Sequence, residues 1–257
     1  MDSMNESSSL LDSFFSVYLG CDLGSVGPGE VLVCTSVRRE KRELHYANAF
    51  PIWCFVTRDR CVVSVQPVLY DAVSRLVKGK PAERFREKGI AEELMATAVS
   101  TLAVDSCMDY AAGPVLFCSR ETFRGTRLQA CRPVSDADKP ALAGAGLLSS
   151  ALSESIVAGT CFAGFAGARP VALCGVCPVP HMPDRVADVS LDGTLEPFRR
   201  LGFGRTVLSA VTEVVIARGQ LPFYITSDTN IASQRTAASV GYVEYGWQLR
   251  VKMPAEQ

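Results

Sequence analysis

The stretch that most constrains this chain is Arg199-Arg200-Leu201-Gly202-Phe203-Gly204, together with the residues that follow it. Gly202 and Gly204 carry no β-carbon, so the backbone there can turn sharply and another molecule can come close to its amides. Val207, Leu208, Val211, Val214 and Val215 then recur at helical spacing, with Ser209, Thr212, Glu213 and Arg218 on the opposite face. That pattern predicts a helix from about Arg205 to Arg218, with Gly219 placed to cap its end. A glycine loop that opens a helix turns unpaired N–H groups and the positive end of the helix dipole toward one point. This is an anion site, suited to a phosphate or pyrophosphate.

Two familiar phosphate loops do not fit. A nucleoside triphosphatase loop needs Gly-Lys-Ser/Thr, and Gly204 is followed by Arg205 and Thr206. A dinucleotide fingerprint needs three glycines at set spacing and an acidic residue ending the next strand, and neither is present. The flanks say more. Leu221 to Ser227 reads as a buried strand, with Pro222 tolerated near its start. Asn230 caps a short helix that Gly241 ends, and Tyr242 to Val251 is an aromatic and β-branched strand. Upstream, Arg127 to Val134 reads as a strand and Ser135-Asp136-Ala137-Asp138 as the cap of a helix. Thr160 to Phe165 and Val171 to Val176 form a hairpin across Gly167-Ala168-Arg169-Pro170.

Arg199-x-x-Gly202-x-Gly204 between a strand and a helix, followed by a strand, Asn230-x-x-Ser233, a helix and Gly241-Tyr242, resembles the GNAT superfamily of acyl-CoA-dependent N-acyltransferases. The resemblance runs from about Arg124 to the C-terminus, half the chain. It implies an α/β (α+β layered) fold in which residues 124–257 form a central mixed sheet flanked by helices. It also implies acetyl-CoA as co-substrate, with no metal. The pyrophosphate would lie on the amides of Leu201, Gly202, Phe203, Gly204 and Arg205, beside Arg199 and Arg200. The pantetheine would run along Asp192, Gly193 and Thr194, with Asn230 and Ser233 completing the cofactor set. The implied activity moves an acetyl group to a primary amine of a small molecule or peptide by direct attack on the thioester. The alternative is a non-catalytic acyl-CoA-binding module.

N-acyl transfer needs an acceptor for the amine's proton, a donor for the thioester oxygen and, for the departing thiolate, an acid. The stretch VADVSLDGT alternates, with Ala187, Val189 and Leu191 on one side and Asp188, Ser190 and Asp192 on the other. In the family a carboxylate on this strand often serves as base, which points to Asp188, the deepest of the three. Burial beside apolar neighbours would raise its pKa toward a useful range. The same pattern also describes a half-exposed strand with a solvated polar face, or an Asp188 paired with Arg185 or Arg169. Many GNAT enzymes place an acidic tyrosine four residues before the glycine ending the Asn-capped helix, and that position here is Ala237. Tyr242 matches the usual core aromatic, so Tyr245 or water is the expected proton donor, or no acid is needed.

The rest of the chain sets wider bounds. A net charge of −1 over 257 residues gives no electrostatic reason to expect nucleic acid or an acidic membrane surface as partner. The opening MDSMNESSSLLDSFF has three acidic residues and no basic one, unlike a secretory or transit peptide. No apolar run approaches the ~20 residues of a membrane span, so a soluble, cytoplasmic protein is expected. Most of the ten cysteines, among them Cys34, Cys54, Cys61, Cys118, Cys131 and Cys161, sit singly in apolar strand-like runs as small hydrophobes. Cys174-Gly-Val-Cys177 has no second pair to complete a metal site, and His45 and His181 are isolated.

Residues 1–12 are polar and expected to be a disordered tail. Residues 13–122 read as a smaller α/β lobe without a catalytic motif, expected to narrow the acceptor side of the cleft. Its strands are Glu30 to Val37, Tyr46 to Val56, Cys61 to Val65 and Pro114 to Cys118, with Arg58-Asp59-Arg60 as a turn. Its helices start at Pro67 and run through Ile90, Leu94, Val99 and Leu102. The cluster Arg38, Arg39, Lys41, Arg42 reads as a solvated turn. The lobe boundary is expected between Ser119 and Arg127, and the recurrence of sheet followed by helix leaves a degenerate repeat of the same fold open.

Overall fold

The computed structural model describes residues 2–42, 48–58, 60–104, 108–148 and 152–253. In chain order its elements are α1 (Asp2–Leu19), β1 (Val31–Thr35), β2 (Ile52–Thr57), β3 (Arg60–Val65), α2 (Tyr70–Val77), α3 (Lys88–Leu102) and β4 (Asp109–Phe117). There follow β5 (Cys131–Pro133), α4 (Lys139–Gly144), α5 (Ser153–Val157), β6 (Phe162–Ala166), β7 (Arg169–Cys177) and β8 (Val186–Thr194). The last are α6 (Phe203–Ala217), β9 (Leu221–Ile225), α7 (Ile231–Val240) and β10 (Val243–Lys252). His45, Tyr46 and Asp59 lie outside the described residues; the second predicted strand starts later than expected, at Ile52, with Asn48 and Pro51 in bends and Ala49 in an isolated bridge to Arg42. Among the described residues no helix is long and apolar enough to cross a membrane.

The chain divides into two compact units. One holds Met1–Val115, Ser227–Thr229 and Tyr245–Gln257, and the other Leu116–Thr226 and Asn230–Glu244. The division therefore falls slightly before the expected boundary, and the end of the chain groups with the first unit. The reason is pairing: Trp247 to Val251 of β10 run antiparallel to Val56 to Ile52 of β2.

In the first unit the strand order is β1-β3-β2-β10-β4, with β1 parallel to β3 and β2 antiparallel to it. The apolar faces of α2 (Val73, Val77) and α3 (Ile90, Leu94, Ala98) bury against Cys54, Val63, Val65 and Leu249. The expected tail is instead helix α1. Leu11, Phe14, Phe15, Tyr18 and Leu19 recur on one helical face and are buried. Its serines cost the helix little, because Ser13 and Ser16 hydroxyls donate to the carbonyls of Ser9 and Asp12 at 3.0 and 2.6 Å.

The basic cluster also differs from the solvated turn expected of it. Ser36 caps the short turn Val37–Glu40, and Arg39 is fully buried. Its Nη2 donates to Tyr18 O at 2.8 Å and its guanidinium lies 4.9 Å from the Trp53 ring, contacts that offset part of the desolvation of a buried cation. Cys34 is not solitary either: its thiol donates to Leu19 O at 3.6 Å, and Cys21 is a neighbour close enough to perturb it. The described cysteines that are assigned are all free thiols, and no cluster of metal-ligating side chains occurs among the described residues.

The second unit is a mixed sheet in the order β9-β8-β7-β6-β5, antiparallel except for the parallel pair β8–β9. The hairpin predicted across Gly167 is β6–β7. Helix α6 buries Val207, Leu208, Val211 and Val215 in a core with Ala172, Cys174, Ala187 and Val189 of β7 and β8. Burying four such side chains contributes several kcal/mol, at about 1.5–3 kcal/mol each, so this helix is firmly seated where it meets the loop before it.

Candidate functional site

Strands β8 and β9 pair at Val186↔Leu221, Ala187↔Pro222 and Asp188↔Phe223, and there the ladder stops. Both strands continue, β8 to Thr194 and β9 to Ile225. The backbone of β8 beyond Asp188 therefore no longer has β9 as its partner on that side. On its other side β8 stays paired with β7, with a bulge: Cys174 opposes Leu191 and Leu173 opposes Gly193, which leaves Asp192 as the extra residue.

The loop that follows is wound by two left-handed residues, Arg200 (φ 63°) and Gly202 (φ 91°). For an arginine this conformation costs roughly 1 kcal/mol, and side-chain bonds hold it. Arg199 Nε donates to Thr194 O at 3.2 Å, and Gln129 Nε2 donates to Leu201 O at 2.6 Å. A β-carbon on Gly202 would come within 3.1 Å of Leu128 Cδ1, and one on Gly204 within 3.0 Å of Thr194 Oγ1. The first bond of α6 runs from Thr206 N to Gly202 O, 2.9 Å. The helix thus supplies no acceptor for the amides of Phe203, Gly204 and Arg205. Arg205 itself is tied back, its Nη2 donating to Thr126 Oγ1 and Ser239 O at 3.0 and 3.1 Å.

Helix α7 completes the site. Asn230 Oδ1 accepts from Ser233 N at 3.1 Å, which is the predicted cap, and Gly241 ends the helix at φ 107°. Ser233 Oγ in turn lies 2.8 Å from Tyr224 Oη. Between these elements is a cleft of about 1030 Å³, lined by Asp192, Gly193 and Thr194, by Arg199 to Gly202 with Gly204 and Arg205, and by Asn230 and Ser233. Of the residues expected to hold the cofactor, Phe203 does not line it. Its ring is buried, 5.9 Å from that of Phe198, so only its backbone faces the loop's purpose. Leu128, Phe198, Tyr224, Arg235 and Thr236 also line the cleft, and none of these was singled out in the sequence. The volume is at the upper end of ordinary small-molecule sites, and arginines 199, 200 and 235 give it a cationic rim.

Neither member of the expected catalytic pair lines the cleft. Asp188 is half-buried on β8 between Cys177 and Phe223, at the point where the strands part. Burial first, then the charges of Asp188 and Asp192, push the Cys177 thiol up to about 12. Tyr245 is not a cleft residue. It is buried in the first unit, stacked on Phe15 at 5.9 Å, and its hydroxyl donates to Asp12 at 2.5 Å. Burial and the neighbouring Asp12 raise its pKa, so it holds its proton firmly and in another place. Ala237 is fully buried. The tyrosine that does reach the cleft is Tyr224, whose pKa is raised by burial above all and also by the charge of Asp188. No local pattern marked it, because it sits inside an apolar strand.

Residues 186–251 match the family model described as FR47-like protein, a family related to GNAT. Residues 186–251 are therefore similar to a GNAT-related family. Among solved structures the chain is similar to a GNAT-family chain from Novosphingobium aromaticivorans, 15% identical over 57% of this chain and 66% of that one, TM-score 0.46. A GNAT-family acetyltransferase from Colwellia psychrerythraea is 12% identical over 75% and 76%, TM-score 0.49. A GCN5-related N-acetyltransferase from Kribbella flavida is 17% identical over 62% and 65%, TM-score 0.44. The chain spans slightly less than two thirds of the Novosphingobium and Kribbella chains. No curated protein matches it.

Proposed function

We propose that the GNAT-like unit binds acyl-CoA and transfers its acyl group, most simply acetyl, to a primary amine of a small molecule or peptide. One observation carries this reading: the β8–β9 ladder ends at Asp188↔Phe223, and beyond it β8 runs on to Asp192, Gly193 and Thr194, which line one cleft together with the helix-opening loop. An extended chain of amides such as pantetheine can pair with the open edge of β8. The pyrophosphate at its other end fits the amides of Phe203, Gly204 and Arg205, where the helix dipole favours negative charge.

In this arrangement most of the rate comes from holding the two reactants together. The thioester reaches the point where β8 and β9 part, and a backbone N–H of β8 polarises its carbonyl. The amine nitrogen bonds to the acyl carbon and the C–S bond breaks. One proton leaves the amine, through Asp188 directly or through water, and the sulfur departs as thiolate and is protonated on release.

The test is thiol release from acetyl-CoA with a broad panel of small-molecule and peptide amines. Amine-dependent release supports the transferase. Binding of acetyl-CoA without turnover on any amine would favour the non-catalytic module, for which the alanine at position 237 is the one argument.

A further inference from the structure

We propose that the free edge of β1 takes an extended peptide carrying a carboxylate, which adds a strand to the first unit along the groove between β1 and α2. Among the described residues β1 pairs on one side alone, with β3. Cys61 N donates to Glu30 O at 2.9 Å just before the first pair of that ladder, and Ser36 N to Val65 O at 2.9 Å just after its last. In a parallel ladder alternate residues bond the same neighbour, so Leu32 and Cys34 also face β3. Val31, Val33 and Thr35 therefore turn their N–H and C=O groups to the other side.

Nothing in the strand discourages a further partner. Exposed edges are blunted by brevity, lysine, proline or a bulge. The end strand of the second unit follows that rule, since β5 is only Cys131-Arg132-Pro133. Strand β1 is Val31-Leu32-Val33-Cys34-Thr35, with no charge and no proline. Its register with β3 runs unbroken from Val31↔Cys61 to Thr35↔Val65. Burial stops short at this edge. Cys61, Val63 and Val65 are fully buried, while Val31 and Val33 are half-buried against the same core.

Beside the edge lies a groove of about 550 Å³, walled by Val31 and Val33 on the strand and by Ser74 and Val77 of α2. Its charged lining residues are both lysines, Lys78 and Lys80. Lys80 is paired with Glu93 at 2.7 Å, and Lys78 is exposed, so Lys78 is the cation that meets a ligand. Glu30, just before the strand, turns its carboxylate back onto Gly27 N at 2.8 Å and does not line the groove. An added strand would set apolar side chains on Val31, Val33 and Val77 and a carboxylate near Lys78. Main-chain bonds then give affinity and the groove selects the side chains. The acyl-CoA cleft is not involved, because its lining residues all belong to the second unit.

Fluorescence anisotropy of short capped peptides with the full chain tests this. Thr-Val-Thr-Val-Thr-Glu and the reverse order, Glu-Thr-Val-Thr-Val-Thr, place both valines and the glutamate on one face for either strand direction. The same peptides with lysine in place of glutamate are the comparison. We expect a glutamate peptide to bind the parent and its lysine counterpart to bind more weakly. Val33→Pro removes an outward N–H and no bond to β3, a position where an edge strand tolerates proline. With a parent-like melt, it should bind the glutamate peptide about 10-fold more weakly, roughly the worth of one hydrogen bond. Lys78→Glu, at an exposed position, should reverse the preference between glutamate and lysine. No binding of either glutamate peptide by the parent, or parent-like binding by a folded Val33→Pro or by Lys78→Glu, overturns the proposal. Dimerisation of the parent that Val33→Pro abolishes would give the edge to a second copy of this chain, and overturns it too.

Discussion

Asp188 on β8 and Phe223 on β9 are the last residues to pair between those strands, although both strands run on. On the proposed acyl-transfer reading, this carboxylate would accept a proton from an amine attacking where the strands part. Asp188→Asn keeps the side chain's shape and removes the base. Turnover should fall by ~100-fold or more, the usual scale for a positioned base, while calorimetry shows acetyl-CoA affinity unchanged. Parent-like turnover of D188N at neutral pH would make Asp188 structural and send the proton through solvent.

Helix α1 is held by aromatic packing. Phe15 is 1% exposed, with its ring 4.5 Å from Phe55 and 5.9 Å from Tyr245. Phe15→Ala should destabilise the first unit by about 3–5 kcal/mol, read from denaturant unfolding. An unchanged midpoint would mean that residues 1–12 behave as the disordered tail their composition suggested.

That composition misled for a physical reason. Counting polar residues hides the fact that Leu11, Phe14, Phe15 and Tyr18 lie on one helical face, and that serine hydroxyls can return to the helix's own carbonyls. By contrast α6 and α7 were legible, because Val207, Val211 and Val215 mark a face while Asn230 and Gly241 mark both ends. The loop's residues were legible for the same local reasons. Tyr224 and Arg39 were not: a phenol reaching the cleft from inside an apolar strand, and a guanidinium buried over Trp53, are both set by residues far away in sequence. The return of β10 to β2 is likewise a long-range pairing with no local mark.

Acid should loosen one cap of the second unit. The Arg132 guanidinium, bidentate on Asp138 at 2.7 and 2.8 Å, holds that carboxyl well below the usual carboxylate range, helped by Ser135. A carboxyl whose folded pKa is depressed adds stability that is present above its unfolded value, ~3.9, and lost as pH falls through the folded value. Asp138→Asn should therefore melt below the parent at neutral pH, by a modest margin for a surface pair. The gap should close below about pH 4. A gap that stays constant down to pH 2 would contradict the assignment.

The account rests on the loop between β8 and α6, and Gly202 tests it most directly. Gly202 is left-handed at φ 91°, and its missing side chain leaves room beside Leu128. Valine there must either strain the backbone or push the loop outward, and either change spoils the convergence of amides on the cleft. The measurement is calorimetric titration of acetyl-CoA into the parent and Gly202→Val, each shown to be folded by its melt. The account predicts binding to the parent and at least a ~10-fold loss in the variant, roughly one lost charge-assisted hydrogen bond. A G202V that binds acetyl-CoA as tightly as the parent, or a parent that does not bind it, would contradict the account.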